Sequence, residues 1–331
     1  MKFKKCAALL LVSSCLLTGC TTSSAKKVDS KYVVASLEKG NKTKNIFADN
    51  LYKDIIDNSS NNSTVFNAVL QNLVDQKFPV NDDMKEDAAT IIKQIKSAYK
   101  SNYGDNYKDS LNQALTSAGY KNLSEYRQRM IKQIQYANFL LDYIDDHFDD
   151  VFNDYYQQCA PKYVSLIKIS VSDTSSPTDN ETSKLNEVKE LISNTDKSFG
   201  DIAQDYSADS TSSKKGSLGI VDSKDTSGIA NSYGKDVFNA IEALSEGQVS
   251  DVITGDNGYY FVKVTSTDKK TLKKELKKTD IDSPLLAYDD YLQYVVYNSY
   301  KINYKDKDIK KIVQEVVNKA LEERKTERGE A

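Results

Sequence analysis

Ile253-Thr-Gly-Asp-Asn-Gly-Tyr-Tyr-Phe-Val-Lys-Val264 reads as a turn feeding a strand. Gly255 to Gly258 supplies the turn, and a period of two sets Tyr260, Val262 and Val264 on one face and Tyr259, Phe261 and Lys263 on the other. The two adjacent tyrosines therefore have different surroundings. Such a strand needs partners. Tyr163 to Val171, just after Pro161, is β-branched and alternating, and Val249 to Ile253 precedes the turn. Between these strands, helical spacing marks Thr182 to Asn194, then Phe199, Ile202, Ala203 and Tyr206, then Val237 to Leu244, closed by Gly247 as a left-handed cap.

On either side the period becomes helical. Phe47, Leu51 and Ile55 form one row, with Tyr52 and Ile56 beside it. Val65 to Phe78 forms a second helix, which Pro79 ends. A short helix from Ser110 to Ala118 stops at Gly119. Ser124 is the expected N-cap of a long helix carrying Met130, Ile131, Ile134, Leu141 and Ile144 inward. Beyond the strands come Leu285 to Tyr300 and Ile309 to Leu321. The fold class expected is α+β, a small sheet with helices inserted in a mainly helical domain. The segments are 30–158 and 268–325 for the helical domain, 160–266 for the insert, and 326–331 for a solvated tail.

The first residues read as a processing signal, 1–19: Lys2, Lys4 and Lys5 precede the apolar run Ala7 to Val12. The segment closes on Leu17-Thr-Gly-Cys20, which resembles a bacterial lipobox, and that resemblance implies cleavage before Cys20 and its acylation as a membrane anchor. Residues 20–29 suit a flexible tether. Loss of the three signal lysines takes the net charge from −3 to −6. A chain of that charge, with no concentrated basic surface, is a poor nucleic-acid binder. Cys159 is then the only unblocked thiol, so no intrachain disulfide forms. It reads as a small buried apolar residue, because the sole histidine, His147, stands twelve positions away outside any catalytic motif.

Four stretches carry a family resemblance: Phe199-Gly-Asp-Ile-Ala-Gln-Asp-Tyr-Ser-Ala-Asp-Ser210, Lys215-Gly-Ser-Leu-Gly219, Glu242-Ala-Leu-Ser-Glu-Gly-Gln-Val-Ser250 and Gly258-Tyr-Tyr-Phe-Val-Lys-Val264. In order and spacing, residues 160–266 resemble the parvulin peptidyl-prolyl isomerase domain. With the lipobox and the helical arms, the whole chain resembles PrsA-type foldase lipoproteins, and its helical part a SurA/PrsA-like chaperone domain. The resemblance implies a lipid-anchored protein on the extracytoplasmic face of the membrane, of Gram-positive type, receiving unfolded or partly folded secreted polypeptides. A homodimer is compatible with it. No cofactor or metal is implied.

Rotation about a peptide bond faces a barrier of about 18–20 kcal/mol and needs no nucleophile, only a site that holds the twisted amide better than the planar one. The family pairs two histidines beneath an apolar cradle. Their positions fall on Lys168 and Tyr260, and with His147 outside the insert no realignment restores the pair, which implies weak or lost isomerase activity. The family's acidic position matches Asp209, and its substrate contacts match Leu218, Tyr233, Val237 and Thr254. Tyr260 is expected on the cradle floor. Lys168 either pairs with Asp209 or snorkels outward from a collapsed cradle. The competing class is a small-molecule-binding surface lipoprotein. It would need two lobes of recurring strand-helix-strand units, and the sequence supplies one short strand-bearing stretch.

Overall fold

A computed structural model of the chain describes residues 27–39, 42–194, 196–277 and 280–330. The signal, the lipobox and Cys20 lie outside them. The described residues open with β1 (Lys27–Val28), β2 (Lys31–Lys39) and β3 (Lys42–Phe47), an antiparallel sheet that the sequence reading does not anticipate. Six helices follow: α1 (Ala48–Ile56), α2 (Asn62–Lys77), α3 (Asp82–Tyr103), α4 (Tyr107–Ser117), α5 (Leu123–Asp146) and α6 (Phe148–Cys159). The strand-bearing segment comprises β4 (Lys162–Ser170), α7 (Asp179–Asn194), α8 (Phe199–Tyr206), β5 (Ser217–Val221), α9 (Ile229–Tyr233), α10 (Lys235–Ala243), β6 (Ile253–Gly255) and β7 (Gly258–Ser266). Then come α11 (Lys269–Leu276), α12 (Leu292–Ser299) and α13 (Lys307–Glu327). The fold is α+β, as expected.

Packing divides the described residues into two compact units, residues 81–290 and residues 27–80 together with 291–330. In the second, α2 packs against α13, so the two ends of the chain share one core. Phe66, fully buried, stacks on Tyr294 at 5.0 Å between ring centroids and meets Tyr297 edge-on at 5.1 Å. Val313 and Val317 of α13 are buried in this unit. In the first unit α5 is the most buried helix, with Ile134, Phe139 and Ile144 wholly removed from solvent. Its N-cap is Asn122, whose side chain accepts from the Glu125 amide at 3.0 Å, two positions before the expected Ser124.

The sheet of the first unit runs β5-β4-β7-β6, all antiparallel. Each face carries its own core, as alternation in the quoted stretch requires. Val164, Leu166, Tyr260 and Val262 pack with Ile229, Val237 and Ile241 from α9 and α10. Ile167, Ile169 and Phe261 pack on the other face with Leu185, Val188, Phe199 and Ile202 from α7 and α8. Gly216 sits at φ +75 where β5 begins. A Cβ there would lie 2.4 Å from the Leu166 carbonyl oxygen, so only glycine lets the chain pass this close to β4.

Helices α3 to α6 group with this sheet, whereas the sequence reading draws its boundaries at 158/160 and 266/268. The physical reason lies at the end of α6. The Tyr155 hydroxyl donates to Asp222 at 2.8 Å, both residues being fully buried, and the Ser223 amide donates to the Cys159 carbonyl at 2.9 Å. Burial, followed by the neighbouring Asp222 charge, pushes the Tyr155 phenol far above its ordinary pKa, so it serves as a donor at any working pH.

Lys162, at the start of β4, closes α10. Its ammonium donates to the carbonyls of Ile241, Glu242 and Leu244 at 3.0, 2.6 and 3.1 Å, where a helix C-terminus offers unpaired acceptors and partial negative charge. Lys162→Met keeps the stem and removes the donors. It is expected to lower stability by about 1.5–3 kcal/mol, the range for hydrogen bonds to a charged group, measurable as a lower urea midpoint at unchanged m-value.

Candidate functional site

The antiparallel register sets Lys168 of β4 directly opposite Tyr260 of β7. Facing residues of such a pair project to the same side, so both stand on the face covered by α9 and α10. The Lys168 ammonium lies 5.6 Å from the centroid of the Tyr260 ring, within cation–π reach. Tyr260 is only 4% exposed and is met edge-on by Tyr233 of α9, with centroids 6.1 Å apart and planes at 82°. Room for the ring comes from Gly255, across the hairpin. A Cβ at that position would fall 2.6 Å from the ring's Cε2. The Tyr260 hydroxyl donates to Asn257 Oδ1 at 2.9 Å, in the turn itself.

Asp209, in the loop after α8, is buried. Its Oδ1 accepts from the Thr211 amide at 2.9 Å, the Thr211 hydroxyl at 2.8 Å and the Tyr233 hydroxyl at 3.3 Å. The loop is bound to β4, since the Ala208 amide donates to the Lys168 carbonyl at 2.8 Å and the Lys168 amide to Ser207 Oγ at 3.0 Å. Burial, followed by the charge of Asp209, raises the pKa of both Tyr233 and Tyr260. Both phenols therefore stay protonated at neutral pH, and their O–H groups are given to Asn257 and Asp209 beside an apolar floor. Among the described residues no three His, Cys, Asp or Glu side chains cluster closely enough to hold a metal ion.

Leu218 and Tyr233 pack at the margin of this core, and Val237 lies within it at 1% exposure. The structure thus brings Lys168, Asp209, Leu218, Tyr233, Val237 and Tyr260 around one sheet face. Thr254 is placed differently. It is exposed and pairs with Tyr259, so it projects to the side of the second core, while Ile253 pairs with Tyr260 and packs on the site face. A shift of one residue in strand register exchanges the faces. Ile253, Gly255 and Asn257 are contributors that the sequence reading does not single out. The alternation of Tyr259 and Tyr260, carried back through a two-residue turn, contains the signal for Ile253. Cys159 is buried at the end of α6, outside the group of site residues.

Residues 166–266 match the rotamase family, described as a PPIC-type PPIase domain. The chain is also similar to the foldase protein PrsA of Staphylococcus epidermidis, at 35% identity over 136 residues, which is 39% of each protein. To the foldase protein PrsA of Staphylococcus aureus it is 31% identical over 159 residues, 46% of this chain and 47% of that protein. The chain thus spans less than half the length of these relatives. Among solved structures, PrsA from Bacillus subtilis aligns with 86% of this chain and 98% of its own, at 21% identity and a TM-score of 0.38. Foldase protein PrsA from Streptococcus pneumoniae aligns with 85% and 99%, at 20% identity and a TM-score of 0.39.

Proposed function

With a PPIC-type rotamase domain at residues 166–266 as its starting point, we propose that this chain is an extracytoplasmic foldase, held to the membrane by an acylated Cys20. It acts on unfolded or partly folded secreted polypeptides. The observation that carries the reading is the match of residues 166–266 to the PPIC-type family, on the segment whose sheet face gathers Leu218, Tyr233, Val237 and Tyr260. Of these, Leu218 and Tyr233 are partly exposed and offer apolar surface for a pyrrolidine ring over the buried Val237 and Tyr260, while the two phenolic O–H groups are held by Asp209 and Asn257. Lys168 and Tyr260 stand where the family places its paired histidines. An ammonium beside a phenol held by Asn257 is a poor substitute for that pair, so turnover is slow and binding of extended chain is the main activity.

Support for chain binding comes from α1. None of its residues is buried, and Leu51, Tyr52 and Ile55 are 45, 44 and 46% exposed on adjacent turns. Clustered exposed apolar side chains of this kind mark interaction surfaces. Leu51→Ser with Ile55→Ser is expected to reduce suppression of aggregation of a reduced, unfolded secreted protein by at least about threefold, on the loss of ~1 kcal/mol or more of apolar contact. Light scattering measures this. Unchanged suppression would remove α1 from the binding surface.

The anchor has its own test. Among the described residues no helix is long and apolar enough to cross a membrane, and acyl chains on Cys20 would supply the attachment. Cys20→Ala is expected to move the protein from the detergent phase to the aqueous phase, or to block its maturation. Unchanged partitioning of a matured chain would rule the lipid anchor out.

A further inference from the structure

The N-terminal sheet presents a face that neither unit's core uses. Lys27 pairs with Tyr32 and shares its side, with the Lys27 ammonium 4.5 Å from the Tyr32 ring centroid. Ala35 pairs with Ile46, and the alternation of β3 adds Lys44 to the same side as Ile46. Val33 pairs with Phe47 on the reverse side, toward α1, where Lys31 meets Asp49 at 3.2 Å. A register shift between Val33 and Ala35 absorbs one residue, so Tyr32 lies with Ala35 and Ile46. On this face Tyr32 is 46% and Ile46 42% exposed, and Val34 at the bulge is 45% exposed. The composition is basic. Residues 27–47 hold five lysines, at 27, 31, 39, 42 and 44, against Asp29 and Glu38, in a chain whose total charge is negative.

We infer that this face is a membrane-contact surface, which lies on anionic lipid with Tyr32, Val34 and Ile46 at the headgroup boundary and Lys27 and Lys44 on the phosphates. Charge selects the occupant. A second copy docked face to face would set lysines against lysines, at a cost in repulsion. A client polypeptide carries both signs and gains nothing systematic from a basic face. An anionic bilayer offers a dense negative surface over an apolar layer, the environment in which tyrosine and lysine are favoured together. The acidic remainder of the chain is repelled by that surface, so contact is confined to the sheet and the rest stands clear. The inference extends the proposed lipid anchor without depending on it, because the test removes Cys20.

The mature chain carrying Cys20→Ala has no acyl group, and since the sequence contains no tryptophan, Tyr32→Trp gives a single indole on the face, excited selectively over the tyrosines at its red edge. With phosphatidylglycerol vesicles its emission is expected to shift to the blue and to be quenched by brominated lipid. Vesicle-bound fraction should exceed that on phosphatidylcholine by roughly tenfold and fall steeply with salt. Ile46→Trp should behave alike, and Tyr103→Trp, exposed on α3, should not respond. Lys27→Glu with Lys44→Glu should abolish the response while circular dichroism is unchanged. Three results would each overturn the inference: no response to phosphatidylglycerol at either position 32 or 46, an equal response to phosphatidylcholine, or a shift that follows protein concentration without lipid, which would assign the face to a second copy.

Discussion

Asp222→Ala is expected to be among the most damaging single substitutions in residues 81–290, lowering stability by about 3–5 kcal/mol. The carboxylate is fully buried and accepts from the Tyr155 hydroxyl at 2.8 Å, the Lys224 amide at 3.0 Å, the Thr226 amide at 3.2 Å and the Thr226 hydroxyl. Alanine would leave the Tyr155 hydroxyl, itself fully buried, and the turn amides without an acceptor, and each orphaned donor carries its full desolvation penalty. Tyr155→Phe removes one donor and leaves the acceptor with three, so it should cost only about 1–2 kcal/mol. Urea unfolding of the two variants reads the difference directly. Equal, small losses would mean that this network does not join α6 to the sheet segment.

Much of the fold was legible because its signal is periodic burial. The alternation of Tyr259 to Val264 and of Tyr163 to Val171 fixed two faces, and both faces are filled as that pattern requires. Helix α3 was not legible, because only Met84, Ala88 and Ile92 are buried along its 22 residues and the stripe is too thin to stand out. The N-terminal strands were hidden by their lysines, which interrupt the apolar alternation, so the sequence reading places residues 30 onward in the helical domain. Helix α13 runs past the expected end at Leu321 to Glu327, two residues into the segment expected as a solvated tail. Lys319–Glu323 and Lys325–Glu322 pairs line it, and the Tyr291 hydroxyl donates to Glu327 at 2.6 Å. The expected helix from Leu285 to Tyr300 is broken instead. Pro284 opens a short 3-10 turn capped by Ser283, and α12 starts only at Leu292.

The site was partly legible in the same way. Strand alternation put Lys168 and Tyr260 on faces that the register then made the same face. The Tyr260 hydroxyl was not assignable from sequence, since its partner Asn257 belongs to a turn whose geometry follows from pairing Gly255 with Gly258. Nor was Thr254, whose orientation depends on that same register. Asp209 was expected near Lys168. Its oxygen Oδ1 also organises its own loop through Thr211 and reaches Tyr233, contacts that depend on the loop's conformation and not on spacing along the chain.

The second large effect concerns catalysis, and it is the most direct test of the proposed function. The observable is the rate of cis–trans isomerisation of a proline-containing tetrapeptide by the full mature chain, compared with a parvulin that retains both histidines. With Lys168 and Tyr260 proposed to stand at the family's histidine positions, kcat/KM is expected to be lower by at least about tenfold, or roughly 1.4 kcal/mol of transition-state stabilisation. Lys168→His with Tyr260→His is expected to recover part of that loss. Leu218→Ala should remove what activity there is, by taking away apolar surface that holds the proline ring. A slow native rate that the double substitution raises, with aggregation suppression unchanged, is the predicted result. A native rate equal to that of the intact parvulin, abolished by Leu218→Ala and lowered by the double substitution, would contradict the account and make Lys168 and Tyr260 working members of the site.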